Sequence, residues 1–207
     1  MPSDRPAARR PYAARMPLEE RREELLDAAL RVLVRDGYGR LTISAIAAEA
    51  GVTRPVVYDA YGGIDPLLHA LLDRTRQRAL DATLALIPTG GVRIELDRWM
   101  LEAADGLLRA AQSDPETWRP VLGLIDGAPP VVRERTEGTL ALVRGFVADV
   151  LRTNLDPGTE LDVEVVAHSL VALVQEFARL LLTRPDEYPK ERLLAAYAGI
   201  LALRRRP

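Results

Sequence analysis

Apolar residues recur along the chain at intervals of three, four and seven, which is the spacing of an amphipathic helix. In the first such segment, residues 17–35, one face carries Leu18, Leu25, Ala29, Val32 and Leu33. No segment of useful length alternates with the period of two that a half-buried strand requires. The pattern therefore predicts an all-α protein.

Glycine and proline turns divide the chain into two short helices followed by longer ones. The short helices are predicted over 43–50 and 54–61, and Gly62-Gly63 then interrupts the chain. Further helices are predicted over 65–87, 92–110, 115–125, 132–153, 161–183 and 188–204. This division indicates a flexible basic arm (residues 1–17), a small helical domain (residues 18–62) and a larger helical domain (residues 63–207).

Composition narrows the class of protein. With 48% hydrophobic and 28% charged residues the chain can bury an ordinary globular core, and without cysteine it can form neither disulfides nor thiolate metal sites. The first twenty residues contain no apolar signal segment, and charged or polar side chains interrupt residues 165–182, so we expect no membrane span and a cytoplasmic location. The arm carries four arginines and one aspartate, which fits either a solvated end or a contact with nucleic-acid phosphates.

The segment 161–183 is apolar around nearly its whole circumference, and residues 188–204 are broadly apolar as well. A helix that is apolar on all sides must be buried on all sides. Either a partner chain covers it or it is the central helix of one subunit, and the small number of remaining elements favours a homodimer. The candidate dimerisation residues are Leu170, Val171, Val174, Leu181, Tyr197 and Leu201.

Residues 41–58 have the pattern of a helix-turn-helix motif. Ala47 is small enough for two helices to cross closely, and Gly51 allows the positive φ that the turn needs. Thr42 and Thr53 stand where their hydroxyls would cap the two helices. An ordinary helical hairpin is the alternative, but the coincidence of these signals favours the motif.

The chain resembles the TetR/AcrR (tetracycline-repressor-like) family of transcriptional regulators in Leu41-Thr42, Ile46-Ala47, Ala50-Gly51-Val52, Val57-Tyr58-Asp59-Ala60-Tyr61 and Leu67-Leu68. The resemblance covers residues 18–72. It implies a homodimer that binds a pseudo-palindromic operator in double-stranded DNA, and a helical domain that receives a small-molecule effector, which we expect to be apolar. A repressor released by its effector is the function it implies. An activator and a dimeric adaptor that has lost DNA binding are the alternatives.

The resemblance also assigns roles to residues of the motif. The exposed start of the recognition helix, which meets base edges, would consist of Thr53, Arg54, Pro55 and Val56. The fork of Arg54 suits guanine, although a phosphate contact is the alternative. Phosphate contacts are implied for Thr42, Ser44 and Tyr58. The family's usual lysine before the next helix is replaced by Ile64, which removes one phosphate contact.

In the second domain, the candidate residues for an effector pocket are Trp99, Trp118, Phe146, His168 and Phe177. The aromatic residues could equally fill the core, and a lone histidine on an apolar helix is more often structural. The chain has two histidines, no Glu-x-x-His pair, no phosphate-binding glycine loop and no nucleophile elbow. We therefore expect no enzyme activity, no metal and no cofactor.

Overall fold

A computed structural model describes residues 17–203 apart from residues 90, 92 and 157. All regular secondary structure in this part of the chain is helical, which confirms the all-α prediction. In chain order the helices are α1 (Leu18–Asp36), α2 (Ile43–Glu49), α3 (Arg54–Tyr61), α4 (Ile64–Leu84), α5 (Leu96–Ser113), α6 (Pro115–Val121), α7 (Pro130–Asn154), α8 (Val163–Thr183) and α9 (Lys190–Leu203). A 3-10 turn, Tyr38–Arg40, connects α1 to α2. Of the predicted basic arm, residues 1–16 lie outside the described residues.

Two helices end earlier than the sequence pattern predicts. Helix α4 ends at Leu84 and continues as two turns, in which the N–H groups of Leu86 and Ile87 bond to carbonyls three residues back. Helix α6 ends at Val121, because Gly123 has a φ of 66° that an α-helix does not allow. The Asp114 carboxylate caps α6, since it accepts the N–H of Thr117.

The helices pack around two hydrophobic cores. Helices α1, α2 and α3 form the N-terminal core, whereas α5 to α9 contribute to the C-terminal core. Helix α4 belongs to both, because its Leu67 and Leu71 enter the N-terminal core and its Ala79 enters the C-terminal one. Ile125, which follows α6, also packs into the N-terminal core. The predicted division after residue 62 therefore falls just before a helix that both cores share.

Helix α8 is not buried on all sides in the subunit. Phe177, Ala178 and Leu181 enter the C-terminal core, but Val165 is 59% exposed and Ala172 is also exposed. By length and composition α8 is apolar enough to cross a membrane, a test that the core helix of a soluble protein also passes. In this fold it packs against α5 and α7. One apolar face of α8 is thus left uncovered by the subunit itself.

The shared helix α4 should be sensitive to loss of its buried side chains. Leu71→Ala should lower the free energy of unfolding by about 2–5 kcal/mol, because it leaves a cavity in the N-terminal core. Denaturation followed by circular dichroism measures this loss. His69→Ala, on an exposed position of the same helix, is the control and should change stability little. Equal losses in the two variants would contradict the burial of Leu71.

Candidate functional site

Helices α2 and α3 form a helix-turn-helix unit, as the sequence predicts. Gly51 turns the chain with a φ of 66°, and the N–H of Val52 donates to the carbonyl of Ala47 over 2.9 Å. Ile46 and Val57 are completely buried behind the turn. The small residue, the glycine and the apolar positions therefore have the roles inferred for them.

The two predicted caps differ. The Thr42 hydroxyl accepts the N–H of Ala45 over 3.2 Å and caps α2, as predicted. Thr53 stands at the N-cap of α3, but its side chain makes no capping hydrogen bond, so that prediction is wrong. Pro55 has no N–H to offer, and the N–H of Val56 already donates to the Thr53 carbonyl over 3.1 Å. The Thr53 side chain is left on the exposed surface.

The predicted DNA-contacting residues lie on the surface of this unit. Thr42 and Ser44 are exposed at the start of α2. At the start of α3, Thr53, Arg54 and Pro55 are exposed and Val56 is half-buried, while Tyr58 one turn later is 51% exposed. The side chain of Arg54 makes no hydrogen bond or ion pair with any described residue. Its charge is therefore available to an outside partner.

The orientation of α3 is fixed at its C-terminal end. The Tyr61 hydroxyl donates to the carbonyl of Arg22 in α1, and Nε of Arg22 donates to the carbonyl of Ala60. The Arg22 guanidinium lies 5.8 Å from the centre of the Tyr61 ring. Burial raises the pKa of Tyr61 to about 12, so the hydroxyl keeps its proton at neutral pH. These contacts leave the start of α3 free to point outwards.

Helix α2 is attached to α1 by Glu49. Its two carboxylate oxygens accept hydrogen bonds of 2.8 Å from Arg35 Nη1 and Arg31 Nε. The hydrogen bonds from these arginines, that of Arg35 first, hold the pKa of Glu49 below its usual value. The ionised carboxylate thus helps to hold the helix-turn-helix unit together.

Two further residues bear on this surface. Ile64, at the position of the missing lysine, is half-buried and packs against the N-terminal core. Arg40 was not singled out from the sequence, because one arginine in a turn has no periodic signal. It is exposed, has no side-chain partner among the described residues, and stands two residues before the Thr42 cap. An arginine so close to the start of α2 is a feature of the sequence that could have marked Arg40 as a candidate for DNA contact.

The second candidate site is a cavity of about 150 Å³ lined by side chains of α4 to α9. Both tryptophans of the chain, Trp99 and Trp118, line it. Trp99 is held in place by a hydrogen bond of 2.9 Å from its Nε1 to the carbonyl of Leu86. The other lining residues are predominantly aliphatic. The cavity suits a small apolar molecule.

The remaining pocket candidates lie elsewhere. Phe146 is 44% exposed, because the neighbouring Val143 and Val147 occupy the inner face of α7 and line the cavity. His168 is exposed on the outer face of α8. Phe177 is buried in the C-terminal core, where its ring meets Tyr197 edge-on at 6.2 Å between centres. None of the three lines this cavity, but Phe146 lines a separate pocket at the surface together with Pro88 and Asn154.

The candidate dimerisation residues face inwards. The cavity is lined by Leu170, Val171, Val174 and Tyr197. Leu181 and Leu201 are buried in the C-terminal core. The exposed small and apolar residues of α8 and α9 are instead Val165, Ala172, Ala195, Ala196, Gly199, Ile200 and Ala202.

Comparison with known proteins agrees with this architecture. The family model described as bacterial regulatory proteins, tetR family, matches residues 25–71. The chain is 36% identical over 107 residues to the DNA-binding transcriptional repressor TetR of Mycobacteroides abscessus, and the match spans 50% of this chain and 51% of that protein. It is 27% identical over 179 residues to the HTH-type transcriptional regulator TtgR of Pseudomonas putida, covering 81% and 83% of the two chains.

A solved structure shares the fold over most of the chain. The TetR-like transcriptional regulator from Rhodococcus sp. RHA1 superposes with a TM-score of 0.72 at 21% identity, covering 93% of this chain and 100% of that one. The helix-turn-helix unit and the helical domain behind it define a helix-turn-helix transcriptional regulator. Within that class, the chain belongs to the tetR family of bacterial regulatory proteins.

The Glu49 contacts predict a pH-dependent contribution to stability. Because the folded-state pKa of Glu49 is lowered, its contribution is present above the unfolded value of about 4.5 and is lost as the pH falls through the folded value. Glu49→Gln should therefore lower the unfolding midpoint at pH 7, by a small amount since ion pairs at the surface are screened by solvent. The difference from the parent should shrink steadily below pH 4.5, as thermal unfolding at several pH values would reveal.

Glu102→Gln is the control, because Glu102 pairs with Arg98 within α5 and joins no two helices. Its effect on the midpoint should be smaller at every pH. A Glu49→Gln effect that is the same at pH 3 and pH 7 would show that lost packing is responsible and the charge is not.

Proposed function

We propose that this protein is a cytoplasmic, dimeric, DNA-binding repressor that leaves its operator when a small molecule occupies the cavity. The observation that carries the proposal is the exposed start of α3, where Arg54 has no partner among the described residues. An unpaired cation on the first turn of the second helix of a helix-turn-helix unit is placed to enter the major groove.

Five exposed residues of this surface can each make a contact with DNA that suits their chemistry. The Arg54 guanidinium can donate two hydrogen bonds to O6 and N7 of a guanine, and Pro55 offers an apolar contact to a thymine methyl group. The Thr42 hydroxyl accepts a backbone N–H and so keeps its own proton for a phosphate oxygen. Arg40 and Tyr58 add phosphate contacts, which offset the missing cation at position 64.

Dimerisation through the outer faces of α8 and α9 would cover the apolar surface that the subunit leaves exposed. Ala172 on α8 and Ala196 and Gly199 on α9 are small, which allows helices of two subunits to approach closely. Val165 and Ile200 add apolar area at the edges of this surface. The two α3 helices would then contact half-sites about one helical turn apart, roughly 34–36 Å.

Two connections link the cavity to the DNA-binding surface. Helix α4 carries Ala79 at the cavity and Leu71 in the N-terminal core. Helix α6 carries Trp118 at the cavity, and the segment after it places Ile125 in the N-terminal core. A bound molecule that moves either helix therefore changes the position of the helix-turn-helix unit. It shifts the equilibrium only by its difference in affinity for the two arrangements.

The role of Arg54 is tested with an operator selected from genomic DNA by the purified protein. Arg54→Ala should weaken operator binding about tenfold to a hundredfold and relax the preference at one base pair of each half-site. Arg133→Ala, which removes an exposed arginine of α7, is the control and should leave binding unchanged. Binding is measured by fluorescence anisotropy on operator and random DNA.

Equal losses on operator and random DNA would make Arg54 a phosphate contact. No binding of any DNA by the parent protein would instead favour the adaptor. A reporter gene placed behind the selected operator distinguishes repression from activation.

The dimer surface is tested at Ala172, because Leu170 and Val171 line the cavity inside the subunit. Ala172→Glu should yield monomers with an unchanged helical signal, because it places a carboxylate in a dimer contact without disturbing the subunit core. Operator affinity should fall sharply, since the two half-sites are no longer bound together. Light scattering gives the mass, and Gln112→Glu on the exposed face of α5 is the control. A dimeric Ala172→Glu protein would place the interface elsewhere.

A further inference from the structure

The charged residues that line the cavity are of one sign. In the part of the chain that the structure describes they are Arg76 of α4 and Arg135 of α7, and no aspartate or glutamate lines the cavity. Arg135 is compensated, because its Nη1 lies 2.7 Å from Oδ1 of Asp73. Arg76 is half-buried and has no hydrogen-bond or ion-pair partner among the described residues. One cation on the cavity wall is therefore uncompensated.

Most other polar groups of the lining already use their protons. The hydroxyls of Thr75, Thr83 and Thr139 each donate to a backbone carbonyl of their own helix. Trp99 donates its N–H to the Leu86 carbonyl. Gln175 of α8 makes no hydrogen bond with a described residue, so its amide is a second available donor. The guanidinium of Arg76 and the amide of Gln175 are thus both available to bind a polar atom of a ligand.

We propose that the effector is a small organic acid, with an apolar body and one carboxylate that Arg76 binds. The inference rests on the proposed function and specifies its effector. A cavity of about 150 Å³ holds a molecule of about benzene's size, so the body is one aromatic ring or a short chain. A carboxylate pairs with the fork of an arginine through two parallel hydrogen bonds. Arg76 would repel a cationic ligand, and no carboxylate among the described lining residues would offset that repulsion.

The position of Arg76 also connects this recognition to regulation. Arg76 is on α4, five residues after Leu71, which belongs to the N-terminal core. The carboxylate would therefore bind to the helix that both cores share, while the apolar body lies against the tryptophans. A molecule held at both ends in this way favours one position of α4 relative to Trp99 and Trp118, which lie on other helices.

Three probes share a phenyl ring on a three-carbon chain and differ in the charge of the end group: 3-phenylpropionate, 3-phenylpropionamide and 3-phenylpropylamine. Their affinities distinguish the contribution of the charge from that of the apolar contacts. Because both tryptophans of the chain line the cavity, intrinsic tryptophan fluorescence of the full-length protein reports occupancy directly. Calorimetry gives the affinities. We expect the acid to bind about tenfold or more tightly than the amide, because it gains a charge-assisted hydrogen bond, and the amine to bind most weakly.

Variants of Arg76 then assign the preference to that residue. Arg76→Gln should lower the affinity for the acid to that for the amide, and Arg76→Lys should restore part of it by returning the charge. Arg78→Gln, which removes an exposed arginine of α4 that does not line the cavity, is the matched control. Circular dichroism confirms that each variant is folded. If Arg76→Gln does not fold, the order of the affinities of the three probes for the parent protein tests whether the effector is an acid.

The outcomes distinguish this inference from the proposed function. Equal binding of acid and amide, or tighter binding of the amine, would overturn the proposal of an acidic effector and leave a ligand-responsive repressor. An acid preference that persists in Arg76→Gln would overturn the role of Arg76. If none of the probes binds, the acidic effector is overturned, while DNA binding is tested separately through Arg54.

Discussion

The arrangement of this protein depends on one shared hydrophobic face, that of α4. Its first turns place Leu67 and Leu71 among the side chains of α1, α2 and α3, and its later turns place Ala79 among those of the C-terminal core. Neither core can move relative to α4 without exposing apolar surface. Burial alone therefore connects a surface suited to DNA with a cavity suited to a small molecule.

The secondary structure and the helix-turn-helix unit could be predicted from the sequence, because their signals are local. The spacing of apolar residues predicts the helices, and Ala47 with Gly51 marks the crossing and the turn. The Thr53 cap could not be predicted by the same rule, since Pro55 has no N–H and the N–H of Val56 donates to the Thr53 carbonyl instead of the side chain. Arg40 has no local signal at all and becomes a candidate only when its exposure is known.

The sequence also does not predict which face of an apolar helix is buried, and the reason is a different one. Around α8 almost every position is apolar, so periodicity does not tell which side meets the cavity. Leu170 and Ala172 are two residues apart, yet one lines the cavity and the other is exposed. Phe146 and Val147 differ in the same way on α7. Three-dimensional packing decides these positions, and it depends on residues distant in the sequence.

The position of Ile125 has a consequence for the independence of the small domain. Its side chain completes a core whose other buried members come from residues 25–71. A fragment that ended at residue 62 would lack Leu67, Leu71 and Ile125, and would leave α1 and α3 without part of their cover. We therefore expect that residues 18–62 do not fold independently. A chimaera that joined it to another helical domain would need α4 through Leu71 and a substitute for the Ile125 contact.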